Sequence, residues 1–332
     1  MLKITIRFLF FILIIAGITE VVLRVKFGFC NSPLYVSDPD FEYIYAPNQE
    51  VERFGNVVRT NSLSMRNPEL TDSDTVNVLL TGDSVVNGGS LTDQDSTASA
   101  MLEIKLKKSF DKRIRVLNIS AGSWGPDNVA GYLKKHGVFN AKLICLVTSS
   151  HDAHDIMSHQ SPVGLDPGFP SKQYSLALIE LWDRYRYLLL FHLQALFFAP
   201  QDKEPEQSEK GTLKKDAVKE AKLNEAGIRK PGIGFNPGYA QIDSIARANN
   251  IPFFIYLHPE ISEIEMGHFN DQGQEIIDFA QQHNVRLINE FDLGITKHYY
   301  RDMDVVHFNN QGQKFLAANL YPLFLEYLKN TN

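Results

Sequence analysis

Residues 76–89 read VNVLLTGDSVVNGG, and the fold follows from how this stretch divides. Its first five residues form a short apolar run. Thr81, Gly82, Asp83 and Ser84 then replace the apolar pattern with small and polar residues, and Gly88 and Gly89 follow soon after. Glycine lets a chain turn sharply, so a side chain such as that of Ser84 can project from a strand end. The same unit recurs along the chain. Apolar runs at 115–119, 142–147, 251–257 and 285–288 alternate with helical stretches at 96–108, 126–136, 239–248, 272–282 and 311–328. The stretch at 126 opens with Pro126 and Asp127, residues suited to a first helical turn. Short apolar strands alternating with helices predict an α/β domain with a five-stranded parallel sheet covered on both faces. Ligands of such sheets sit outside the carboxyl ends of the strands, which is where Ser84 falls.

The chain has 332 residues, 44% hydrophobic and 22% charged, an ordinary globular composition. A net charge of −6 and a pI near 5.9, with no basic stripe, argue against a nucleic-acid partner. Two cysteines, Cys30 and Cys145, are too few for a disulfide framework. Cys145 lies in the apolar run at 142–147 and reads as a small core residue. No internal repeat at a fixed period is visible.

The amino-terminal segment is the compartment signal. Residues 8–23 are sixteen residues carrying one charge, Glu20, with Lys3 and Arg7 before them and Arg24 and Lys26 after. A membrane span needs about 20 apolar residues, and flanking Lys and Arg can snorkel to lengthen a shorter one. The flanking cations balance, and the free amino terminus tips the segment toward a cytoplasmic start. Residues 1–26 are therefore expected to be an uncleaved transmembrane anchor, with the body outside the cytoplasm, periplasmic or at the cell surface. A cleaved signal peptide and a buried core helix are the alternatives. No well-placed A-x-A cleavage site accompanies the segment.

Residues 27–75 show little periodicity and many turn residues, and read as a lead-in lying over the domain that spans 76–330. An insertion is expected at about 155–235. Within it, 176–199 is apolar at nearly every position around a central charged cluster. This pattern reads as a further core helix on the sheet, with a lid or a bilayer-resting surface as the alternative. Residues 201–230 hold eight Lys/Arg, seven Asp/Glu and no aromatic residue, as a solvated helix or loop does.

A serine hydroxyl attacks poorly until a base takes its proton and donors stabilise the resulting oxyanion. Ser84 is the candidate nucleophile, although its surroundings are not G-x-S-x-G, so the strained elbow of α/β-hydrolases does not fit. The partner signal is Asp304-Val305-Val306-His307. Asp and His three apart on one loop can face one point, the Asp fixing the tautomer that the base needs. Asp302 and His298 are weaker candidates.

Gly82-Asp83-Ser84 at a first strand and D-x-x-H shortly before the last helix resemble, in order, the motifs of the SGNH (GDSL) hydrolase superfamily. The resemblance covers roughly residues 76–328 without the insertion. It implies a flavodoxin-like three-layer sandwich, with Ser84 as nucleophile, His307 as base and Asp304 as its orienter. It further implies an oxyanion hole built from the Ser84 backbone N–H, a backbone N–H in a second block and an asparagine amide in a third. The second block here is Asn118 to Gly125, where spacing makes Ser123 the donor with Gly122 one residue off. The third block is Ser149-Ser150-His151-Asp152, with His151 where the asparagine would stand. Upstream, residues 59–69 resemble the N-S-x-G-x-R-x-P-E stretch of membrane-anchored members, with Ser64 in place of the usual glycine, and Glu20 and Arg24 fit that group.

The run His151, Asp152, His154, Asp155, with His159 beyond, has metal-ligand chemistry. Its spacing matches no metal mechanism and the triad needs no metal, so no cofactor is expected and cleft-lining or solvated roles are. The resemblance implies an esterase acting on ester-linked acyl groups, acetyl foremost, of an exported carbohydrate. An O-acyltransferase supplied by a membrane acyl-transfer partner and a non-catalytic assembly module are the other readings.

Overall fold

In the computed structural model, which describes residues 2–70, 75–110, 113–197 and 234–330, the decisive stretch forms β5 (Thr75–Gly82) and runs into a one-turn helix, α2 (Ser84–Asn87). Four further strands complete the sheet: β6 (Arg113–Ser120), β7 (Ala141–Ser149), β8 (Phe253–His258) and β9 (Arg286–Asn289). All pairings are parallel, in the order β6-β5-β7-β8-β9. Successive side chains of a strand point to opposite faces, and here both sets are apolar. Leu79, Leu117, Ile144 and Ile255 bury one face against α4 (Pro126–His136), α6 (Gly238–Ala248) and α8 (Asp271–Gln282). Val78, Leu80, Cys145 and Tyr256 bury the other against α3 (Ala98–Lys107) and α9 (Asn310–Asn330). Two apolar faces force two helical layers, and the result is a flavodoxin-like three-layer sandwich, the architecture that the SGNH resemblance implies.

Strand order reverses between β5 and its neighbours β6 and β7, the place where open α/β sheets bind ligands. Register puts Gly82 beside Ser120 on one side and Val147 on the other, while Ser149 stands beside His258. The segments following all four strands therefore leave one rim. Gly82 is required there, because a Cβ would lie 2.5 Å from the Val147 carbonyl oxygen and 2.9 Å from the Val86 side chain.

The lead-in is more ordered than its irregular sequence suggests. It forms two antiparallel hairpins, β1 (Tyr35–Asp38) with β2 (Glu42–Tyr45) and β3 (Glu50–Arg53) with β4 (Asn56–Arg59). Tyr43 joins the first to the rim: its hydroxyl donates to the carbonyl of Gly122 at 2.9 Å, and its own carbonyl accepts from Trp124 Nε1 at 2.7 Å. Arg66, buried, donates to the carbonyls of Val57, Asn87, Gly89 and Thr92, so the stretch preceding β5 clasps the turn that follows it.

Helix α1 (Leu2–Phe27) is long and apolar enough to cross a membrane, and none of its apolar window is buried. Its single internal acid has a structural use. Glu20 accepts from the backbone N–H groups of Ala177 and Leu178 at 2.8 and 2.9 Å, capping α5 (Ala177–Phe197) by supplying partners for free amides. The expectation that 176–199 packs on the sheet is corrected for the start of that stretch, the part whose side chains are described. The described apolar residues at the start of α5 join Leu23 and Phe29 in a separate cluster, and Glu180 forms a buried ion pair with Arg53 at 2.8 Å. Residues 201–230 lie outside the described residues.

Candidate active site

Asp83 is the N-cap of α2, its side chain accepting from the Val85 backbone N–H at 2.8 Å. This starts the helix at Ser84 and turns that side chain toward the rim. Ser84 Oγ lies 2.8 Å from His307 Nε2. His307 Nδ1 in turn lies 2.8 and 2.9 Å from the two carboxylate oxygens of Asp304. Asp304 Oδ1 also accepts from the backbone N–H groups of Val306 and His307, each at 3.0 Å. Burial acts to raise the Asp304 pKa, but these hydrogen bonds outweigh it and hold the carboxyl well below its usual range. An ionised Asp304 accepts from Nδ1–H, which leaves Nε2 as an acceptor for the serine proton.

Two groups not singled out in the sequence hold the 304–307 loop. His258, at the end of β8, donates from Nε2 to the Val306 carbonyl at 2.8 Å, bonds Glu290 through Nδ1, and stacks on Tyr300 with ring centroids 5.1 Å apart. Arg301 donates to the Gly88 carbonyl at 2.8 Å, tying this loop to the end of α2. The available signal was positional, since His258 ends β8 and Glu290 directly follows β9.

Gly122 and Ser123 follow β6 on the same rim, and Ser123 has a left-handed backbone, φ 57°. Asn118, the first residue of that block, is fully buried and donates to Val86 O and Ser99 Oγ, a packing role. Tyr43, Ser123, Asn128, Asp155 and Phe169 line an open groove beside this block.

His151 sits among acids. Its Nδ1 lies 3.2 Å from Glu260 Oε1 and its Nε2 lies 3.6 Å from Asp152 Oδ1. Burial acts to lower its pKa, but Asp152 and Glu260 outweigh that effect and raise it. One ring nitrogen of His151 and one carboxylate oxygen each of Asp83 and Asp152 lie within 4.8 Å of one another. His154 pairs instead with Glu275 at 2.9 Å, and the His159 backbone N–H donates to Glu42. Of the His/Asp run, then, only His151 and Asp152 converge with Asp83.

A parallel sheet in this order, with a serine after the strand second from one edge and a D-x-x-H loop before its last helix, is the arrangement that the resemblance to SGNH hydrolases implies. Among solved structures the chain is similar to a lipase/acylhydrolase from Enterococcus faecalis, at 10% identity and TM-score 0.41, over 76% of this chain and 96% of that one. It is similar also to the psychrotrophic esterase EstA from a Pseudoalteromonas species, at 11% identity and TM-score 0.39, over 76% and 98%. A third is a two-domain esterase active on acetylated mannans, at 9% identity and TM-score 0.39, over 76% and 50%. No family profile and no curated protein sequence matches the chain.

Proposed function

We propose that this protein is a membrane-anchored serine esterase of the SGNH type, removing acyl groups, acetyl foremost, from a carbohydrate outside the cytoplasm. The observation that carries the reading is the unbroken contact from Ser84 Oγ through the His307 imidazole to Asp304. Ser84 Oγ attacks the ester carbonyl carbon while its proton passes to His307 Nε2. The tetrahedral oxyanion is met by the backbone N–H groups of Ser84 and of Ser123 or Gly122, and by His151. Collapse expels the sugar oxygen, which takes the proton from His307 and leaves an acyl-serine. Water then gives a proton to His307 and adds to the acyl carbon; the second intermediate collapses, the C–Oγ bond breaks, Ser84 Oγ takes the proton back from His307, and the carboxylic acid leaves.

Two further observations support the assignment. The groove beside Ser123 has aromatic walls in Tyr43 and Phe169 and polar groups in Asn128 and Asp155, a mixture suited to a sugar with its apolar faces and hydroxyls. The apolar α1 supports anchoring, with the body on the far side of the bilayer from the amino terminus.

The full chain in detergent, supplied with an aryl acetate with and without an oligosaccharide acceptor, tests the proposal. Release of acetate without acceptor supports the esterase. Turnover that requires the acceptor and yields an acetylated sugar makes it an O-acyltransferase, which uses the same three residues and differs in excluding water. Absence of an acyl adduct on Ser84 by mass spectrometry makes it a non-catalytic assembly module.

A further inference from the structure

We propose that Asp83, His151 and Asp152 bind a divalent first-row cation, of the Zn2+ or Mn2+ class, beside Ser84. The site deepens the esterase reading, on which it rests for its catalytic role but not for its existence.

Each ligand atom is identified by what its neighbours already hold. Asp152 Oδ2 accepts from Thr148 Oγ1 at 2.9 Å and from the Ser149 backbone N–H at 2.7 Å. Asp152 Oδ1 is buried with no hydrogen-bond partner. Asp83 Oδ1 is taken by the Val85 N–H, and Oδ2 has the Ser84 hydroxyl at 3.3 Å. That hydroxyl has a single proton, which the closer His307 Nε2 claims at 2.8 Å. These carboxylates are 2–3% exposed, and one oxygen of each lies within 4.8 Å of the other and of a ring nitrogen of His151. Glu260 stands against His151 Nδ1 and fixes it as the nitrogen that keeps its proton, so Nε2 is the nitrogen that would exchange its proton for a cation. A carboxylate behind an imidazole is how metal-binding histidines are oriented.

A proton does not close this space. With Nε2 protonated, its distance of 3.6 Å to Asp152 Oδ1 is too long for a hydrogen bond. Two atoms sharing one cation through bonds of about 2.0–2.2 Å stand roughly 3–4 Å apart, and this pair has that separation. One nitrogen and two carboxylate oxygens favour zinc or manganese over a hard all-oxygen ion. Three protein ligands would leave a tetrahedral cation one open position, as a catalytic site requires, and Asp83 Oδ2, 3.3 Å from Ser84 Oγ, puts the site beside the nucleophile. There the cation would polarise the ester carbonyl, taking over the part that the His151 ring N–H plays when no metal is bound.

The test uses the detergent-solubilised full chain, stripped with a chelator and dialysed. Titration with ZnCl2 and with MnCl2 by calorimetry, and metal analysis after gel filtration, should give one cation per chain. Asp152→Asn and His151→Asn should each weaken binding at least about tenfold, and Glu260→Gln, which removes the outer partner, by about 10–100-fold. Circular dichroism without metal shows which variants fold. Cobalt absorption of the wild-type protein reads imidazole ligation without any variant. No uptake of Zn2+ or Mn2+, equal affinity in the folded variants, or a cobalt spectrum without nitrogen ligation overturns the site. Labelling of Ser84 by a fluorophosphonate separates the two readings. Labelling without metal binding overturns the cation alone, and metal binding without labelling overturns the esterase alone.

Discussion

His258 donates from Nε2 to the carbonyl oxygen of Val306 at 2.8 Å, one residue before His307. Its other nitrogen is bonded to Glu290, and both side chains are fully buried. Two acceptors require two N–H groups, so the ring is an imidazolium. Burial acts to lower its pKa, and Glu290 with the Val306 carbonyl outweighs that and raises it. A raised folded-state pKa stabilises fully below the ordinary imidazole value of 6.5 and is lost as pH rises through the folded value. His258→Gln leaves Glu290 as an unpaired buried charge. It should lower stability by about 3–5 kcal/mol in urea melts, and should flatten the decline in stability on the alkaline side.

Asp304→Asn keeps the shape of the loop but loses the acceptor that sets the His307 tautomer. The kcat for aryl acetate should fall by about 10⁴-fold with KM little changed, measured in steady-state kinetics. The depressed Asp304 pKa makes its contribution to stability present above the ordinary carboxyl value of 3.8 and lost as pH falls through the folded value. Acid denaturation of the wild-type protein should show this loss, and Asp304→Asn should not.

Ser84→Ala and His307→Ala should each lower kcat on the order of 10⁶-fold, and the double variant should be no slower than either alone, because the pair acts as a unit. Both side chains are partly exposed at the rim. Thermal melts of Ser84→Ala should therefore differ from wild type by no more than about 0.5 kcal/mol, whereas His307→Ala, which also takes the ring from Asp304, should lose somewhat more.

Ser64 adopts φ 63° immediately before the buried Met65 and Arg66. A left-handed backbone costs an L-residue roughly 1–2 kcal/mol, and the extra unfolded-state freedom of glycine returns about 0.4–1 kcal/mol of that. Ser64→Gly should raise stability by about 0.5–1 kcal/mol in urea melts, with esterase turnover unchanged.

The five strands were legible because a parallel sheet buried on both faces needs near-continuous apolar runs, and VNVLL and its counterparts are that. The irregular lead-in was not. Its four-residue strands pair only with one another, too short for a period to register, and they gain order by packing Phe41 against Trp124 and by the bond from the Trp124 indole to the Tyr43 carbonyl. The start of α5 was misread because its apolar character is spent on Leu23 and Phe29, a contact that periodicity cannot distinguish from contact with a sheet.

By itself the sequence determined the local chemistry. Asp304 and His307, three apart, bond within one loop, and the residues after β5 place a serine at a strand end whatever surrounds them. Only tertiary structure decided how these meet: Ser84 and His307 are 223 residues apart, and their contact depends on the register of β5 and on His258 and Arg301 holding the later loop. It also turned His151 toward Glu260, Asp152 and Asp83. A side chain's partners across a rim are set by which strands lie side by side, and strand order comes from burying both faces of the sheet at once, not from any one segment.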